Sequence, residues 1–90
     1  MTTHNSIPTC IEGFLTTQLS AYFAAHGDGF PAPGLHARYL LRVERPLILQ
    51  TLRATGGNQI KAAEILGINR NTLRKKIRTL GIDAKRAVQA

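Results

Sequence analysis

Between Asn69 and Arg78 the chain carries eight side chains that donate hydrogen bonds or bear positive charge: Asn69, Arg70, Asn71, Thr72, Arg74, Lys75, Lys76 and Arg78. No acid interrupts the run. A guanidinium is a planar fork that matches two acceptors side by side, as on the O6/N7 edge of guanine, and a carboxamide pairs one donor and one acceptor in the way adenine requires. Lysines and further arginines neutralise phosphate without reading sequence. The chemistry on offer is therefore recognition of a polyanion, with no bond made or broken.

Such side chains need a helix to present them. Leu73, Ile77 and Leu80 recur at helical spacing and form one apolar stripe. Arg70, Asn71, Arg74, Lys75 and Arg78 lie opposite. Asn69 is placed to cap this helix through its side-chain oxygen, and Gly81 to end it near Leu80, with Ile82 folding back on Ile77. A shorter helix, from about Gln59 to Leu66, precedes it. Asn58 caps that helix, Gly67 stops it, and Ala62, Ala63, Ile65 and Leu66 form its dry side. The spacing from Ala63 to Gly67 to Leu73 is that of a helix-turn-helix over residues 58–83. In that motif the second helix enters the major groove of double-stranded DNA, and its first residues reach base edges. Asn69, Arg70, Asn71 and Thr72 occupy those places, while Arg74, Lys75, Lys76 and Arg78 flank the groove and meet phosphates. A basic amphipathic helix alone is often only a solvated surface; the joint pattern of small residue, glycine, cap and leucine decides for the motif.

The charge is distributed accordingly. The 90-residue chain has a net charge of +7. Residues 58–86 hold eight of its bases and two of its acids, and residues 1–57 hold four bases and three acids. The positive field thus belongs to the helix-turn-helix end, as the electrostatic footprint of a nucleic-acid binder would.

Ahead of this region the chain reads as further helices. Residues 1–8 are polar and form a flexible N-terminal arm. Thr9 and Glu12 carry the capping-box signature, opening a helix whose residues Ile11, Leu15, Leu19 and Tyr22, with Phe14 and Phe23 beside them, make a broad buried face. His26 lies near its last carbonyls and Gly27 ends it. The proline- and glycine-rich loop from Gly27 to Gly34 turns the chain. The longest helix runs from Leu35 to Thr55, with one apolar row at Leu40, Val43 and Leu47 and a second at Leu41, Ile48 and Leu52. One neighbour cannot bury both rows; the first helix covers one and a second copy of the chain the other. Pro46 removes a helical hydrogen bond, so a kink or break is expected there. Arg38, Arg42, Arg45 and Arg53 share a polar side and read as a solvated face. Residues 84–90 form a C-terminal tail.

Other functions find little support. A single cysteine, Cys10, excludes an internal disulfide and fits a reducing compartment. The five carboxylates are scattered, and His4, His26 and His36 show no ligand spacing with Cys10. No nucleophile stands beside a base. No enzyme activity, metal, cofactor or small-molecule substrate is expected. The apolar runs fall far short of the ~20 residues a membrane-spanning helix needs, and the N-terminus lacks the basic start and apolar core of a signal peptide. A single core of this size is marginal, which dimerisation relieves.

The stretch RPLILQTLRATGGNQIKAAEILGINRNTLRKKIRTLGI resembles the Fis family of bacterial nucleoid proteins, and equally the C-terminal DNA-binding domain of NtrC-type regulators. The match is strongest from Gly57 to Lys76 and extends over about residues 11–83. The resemblance implies an all-α, four-helix Fis-like homodimer with a C-terminal helix-turn-helix. Residues 9–57 would be its dimerisation helices, with Leu40, Val43, Leu47 and Ile48 in the dimer core and the helix kinked at Pro46. It implies that Asn69 and Arg70 reach bases, with Arg70 reading guanine, and that Asn58, Gln59, Thr72, Arg74 and Lys75 touch phosphate or groove edge; Lys76 matches a basic position. Asn71 stands where enteric Fis proteins have glycine and adds a side chain facing the groove. Ile60 replaces a threonine that touches the backbone there, and the arm is too short for the DNA-inversion hairpin. The function implied is DNA binding and bending in transcription regulation or nucleoid organisation, in the bacterial cytoplasm, with RNA polymerase as a further candidate partner. Two other readings stand beside it: the isolated DNA-binding end of an NtrC-type activator, and a dimeric interaction module without DNA binding.

Overall fold

A computed structural model describes residues 7–85. Among them are four helices and no strand: α1 (Cys10–Ala24), α2 (Leu35–Ala54), α3 (Gln59–Leu66) and α4 (Arg70–Thr79). Residues 1–6 of the expected arm (1–8) and residues 86–90 of the expected tail (84–90) lie outside the described residues. The chain divides into two compact units at the loop, one ending at Pro33 and the other beginning at Gly34.

The first unit holds α1. It starts where the Thr9 signature placed it, but the capping box does not form. Thr9 has helical dihedrals (φ −72°, ψ −17°) and its side chain makes no cap bond, whereas a capping side chain needs an extended backbone to turn back on the first turn. The Glu12 N–H instead donates to the Thr9 carbonyl at 3.1 Å. His26 does meet the end of the helix, with Nδ1 2.8 Å from the Tyr22 carbonyl. Within its own chain no residue of α1 is buried: Ile11, Phe14, Tyr22 and Phe23 are exposed, and Leu15 and Leu19 are half-buried.

The second unit is built by α2, α3 and α4 around Ile48, Leu52, Ala62, Ala63, Leu73, Ile77 and Leu80, with Leu49, Leu66, Ile68, Ile82 and Ala84 packed on the edge. The stripe of α4 is buried as its spacing demands. On α3, Ala62 and Ala63 are buried but Ile65 is 60% exposed, so the dry side is narrower than its four apolar residues suggested. The two rows of α2 separate differently from expectation. Ile48 and Leu52 enter the core with α3 and α4, while Leu41, at the head of the same row, stays exposed. Ile48, expected in the dimer core, is thus already buried within its own chain at 1% exposure, whereas Leu40, Val43 and Leu47 remain 51%, 42% and 54% exposed. The backbone of α2 stays helical through Pro46, so the helix does not break there.

Stops and caps are local. Gly67 takes a left-handed conformation (φ 74°) and its N–H donates to the Ala63 carbonyl at 2.9 Å. At the end of α4, Gly81 is also left-handed (φ 68°) and the Ile82 N–H closes on the Ile77 carbonyl at 3.0 Å, the bond that brings the following apolar residue back over the helix. Beyond it, the Asp83 carboxylate accepts from the Lys85 N–H at 3.0 Å, and residues 84–85 are helical.

Candidate nucleic-acid interface

The polar and basic side chains of α4 are placed by a short chain of constraints. Gly67 reverses direction after α3, and Ile68 packs at the edge of the core. Asn69 then opens α4 with extended dihedrals (φ −65°, ψ 142°), and its Oδ1 accepts from the Asn71 N–H at 2.7 Å. Asn58 does the same for α3, accepting from the Lys61 N–H at 3.1 Å. Both caps satisfy a backbone donor that has no partner inside the helix.

Leu73 and Ile77 anchor one side of α4 in the core. The other side therefore faces out: Asn69, Arg70, Asn71, Thr72, Arg74, Lys75 and Arg78 are all exposed. Asn58 is exposed and Gln59 half-buried on the neighbouring end of α3. Beside the start of α4 lies an open cleft lined by Ile60, Ala63, Glu64, Ile68, Asn69, Arg70 and Asn71. Ile60 supplies an apolar surface there, and the Glu64 carboxylate stands 3.6 Å from the Lys61 ammonium.

Lys76 departs from this set. It is half-buried, and its Nζ lies 3.0 Å from Oε2 of Glu44 on α2. It faces its own fold and not the outward row. Arg45 departs from expectation in the same way. Its guanidinium donates to the Leu80 carbonyl at the end of α4, so it is not part of a purely solvated face. A cation there satisfies an orphan carbonyl and meets the negative pole of the helix. The sequence signal for both contacts was only that α2 carries Glu44 and Arg45 side by side.

Residues 40–80 match the family described as bacterial regulatory protein, Fis family. This segment belongs to the Fis family. The matched span runs from the exposed row of α2 through the end of α4, so the family pattern covers the elements that hold and present the polar and basic side chains of α4. The chain is also similar to the DNA-binding transcriptional regulator NtrC of Azospirillum brasilense, with 62% identity over 71 residues, covering 79% of this chain and 15% of that protein. The NtrC of Rhizobium meliloti is 61% identical over 66 residues, covering 73% of this chain and 14% of that protein. The DNA-binding protein Fis of Actinobacillus succinogenes is 44% identical over 64 residues, covering 71% of this chain and 64% of that protein. The chain thus spans about one seventh of the length of the NtrC relatives it matches. No solved structure matches it. Among the described residues, no helix is long and apolar enough to cross a membrane.

Proposed function

We propose that this chain binds double-stranded DNA as a homodimer, laying α4 of each copy into the major groove and bending the duplex to serve both. The observation that carries the reading is the exposed, acid-free surface of α4, backed by buried Leu73 and Ile77 and opened by the Asn69 cap. In this reading Asn69, Arg70 and Asn71 address base edges. Asn58, Gln59, Thr72, Arg74, Lys75 and Arg78 address phosphates or the groove edge. The uncovered row Leu40, Val43 and Leu47 pairs with a second copy. The role is transcription regulation or nucleoid organisation in the bacterial cytoplasm, with RNA polymerase as a further candidate partner.

Fluorescence anisotropy with a short duplex, repeated across salt concentrations, tests it. Neutralising 6–10 phosphates lowers affinity about 10³–10⁵-fold between roughly 50 and 200 mM salt. If folded protein shows no binding even at low salt, the chain is an interaction module and α4 loses its assigned work.

A second reading, that these residues are the DNA-binding region of a longer NtrC-type activator, is favoured by the higher identity to the NtrC relatives (62% and 61%) than to Fis (44%). Any receiver or ATPase function would then reside elsewhere in the polypeptide. Probing cell extracts with an antibody raised against this chain distinguishes the two: a band near 9.8 kDa supports the small protein, and a much larger one the activator.

A further inference from the structure

Glu44 and Arg45 are consecutive on α2, and both reach α4. Glu44 meets Lys76 with oxygen and nitrogen 3.0 Å apart, and Arg45 donates to the carbonyl of Leu80. The two points held are about one helical turn, or roughly 6 Å, apart along α4. One contact is a side-chain ion pair on the flank of the helix; the other holds its C-terminal end. Together with the buried stripe Leu73, Ile77 and Leu80, they are placed to oppose rolling of α4 about its axis and tilting of its end.

Lys76 is suited to this work by its place on the helix. At about 100° per residue, it lies about 40° from buried Leu80 and about 140° from exposed Asn71. Its side chain is 36% exposed and that of Glu44 32%, so the pair sits partly out of water, where an opposite charge matters more than on an open surface. Lys75, next to it in sequence, is exposed. Adjacent lysines therefore have different work.

We propose that Lys76 is a positioning residue: it acts through Glu44, and with Arg45 on Leu80 it sets the roll of the recognition helix that presents Arg70 and Asn71. This rests on the DNA-binding reading for its consequence but not for its geometry. Electrostatics separates it from the alternative. If Lys76 touched phosphate, removing the nearby Glu44 carboxylate would strengthen binding. If Lys76 is a positioning residue, removing Glu44 weakens binding to the preferred site although an acid has been lost.

The test uses the 90-residue chain and the duplex enriched from a random pool. Glu44→Gln and Lys76→Met each weaken preferred-site binding about two- to fivefold, the factor corresponding to a partly exposed ion pair. The double variant loses no more than either single one. The slope of affinity against salt stays at its original value. The exchanged pair Glu44→Lys with Lys76→Glu recovers binding. Tighter binding by Glu44→Gln, or a salt slope lowered by about 1 in Lys76→Met alone, makes Lys76 a phosphate contact and overturns the proposal. A readout without DNA keeps the two readings apart. In free protein, Glu44→Gln and Arg45→Gln each speed amide hydrogen exchange at Ile77 to Leu80 relative to Leu52. Unchanged exchange in both variants overturns the grip, whether or not the chain binds DNA.

Discussion

Oδ1 of Asn69 accepts the backbone N–H of Asn71 at 2.7 Å. The oxygen that begins α4 is thereby turned back onto the helix end, and the amide nitrogen of Asn69 takes no part in the cap. Asn71, one position beyond the first helical residue, keeps both its oxygen and its nitrogen for a partner. Of the two asparagines, Asn71 is the one equipped for paired donor–acceptor contact with adenine, while Asn69 combines a cap with a single donor.

This division of labour separates stability from binding at one position. Asn69→Asp retains a capping oxygen and removes the donor, so urea unfolding stays near the original midpoint while DNA affinity falls. Asn69→Ala loses the cap as well and costs about 1 kcal/mol of stability. Unfolding and anisotropy measured on the same two variants check both halves. A loss of stability in Asn69→Asp equal to that in Asn69→Ala contradicts the assignment.

Arg70 and Lys75 are both exposed but differ in expected effect. Arg70→Ala costs about 1–3 kcal/mol at the preferred site and relaxes the choice of base there. Lys75→Ala weakens all duplexes alike and lowers the salt slope by about 1. Competition between the preferred duplex and a scrambled one, at two salt concentrations, distinguishes them. An Arg70→Ala variant that kept full affinity and full preference would remove Arg70 from the base-reading set.

Leu47 and Ile48 are neighbours in sequence with opposite surroundings, 54% and 1% exposed. Leu47→Lys is expected to shift sedimentation from the dimer to the monomer mass while helical signal persists. Ile48→Ala acts within one chain and destabilises it by about 2–5 kcal/mol, through lost burial and the cavity left behind. If Leu47→Lys remains fully dimeric at micromolar concentration, a second copy does not cover that row.

Gly67 isolates the cost of backbone conformation. A Cβ built there meets nothing within 4 Å, while φ is +74°. Gly67→Ala therefore loses stability through strain alone, about 1–2 kcal/mol, with no clash to force α3 and α4 apart. Denaturant unfolding should show this loss, and DNA affinity measured well below the transition should be unchanged. A large affinity loss in folded protein would mean that the turn, and not only its energy, has moved.

The helix-turn-helix was legible because its signals are local. A capping oxygen acts within three residues, a left-handed glycine within its own two dihedrals, and an apolar stripe within one helix. Asn58, Gly67, Asn69 and Gly81 accordingly do in the structure what their residue types dictate, and Leu73, Ile77 and Leu80 are buried together. Thr9 shows the limit of such reasoning. Its type permits a cap, but the cap depends on a backbone conformation that Thr9 does not adopt.

What the sequence by itself determined is therefore the identity and ends of the helices and the outward set of donors on α4. Tertiary structure decided which apolar residues found a partner and which charges were already engaged. Periodicity groups Leu41, Ile48 and Leu52 into one row, but the length and placement of α3 and α4 leave Leu41 exposed and bury the other two. Spacing along α4 places Lys76 in a basic run, and only the approach of α2 gives it to Glu44 and brings Arg45 to Leu80. Those pairings join residues far apart in the chain, so their partners follow from how helices pack and from no property of the local sequence.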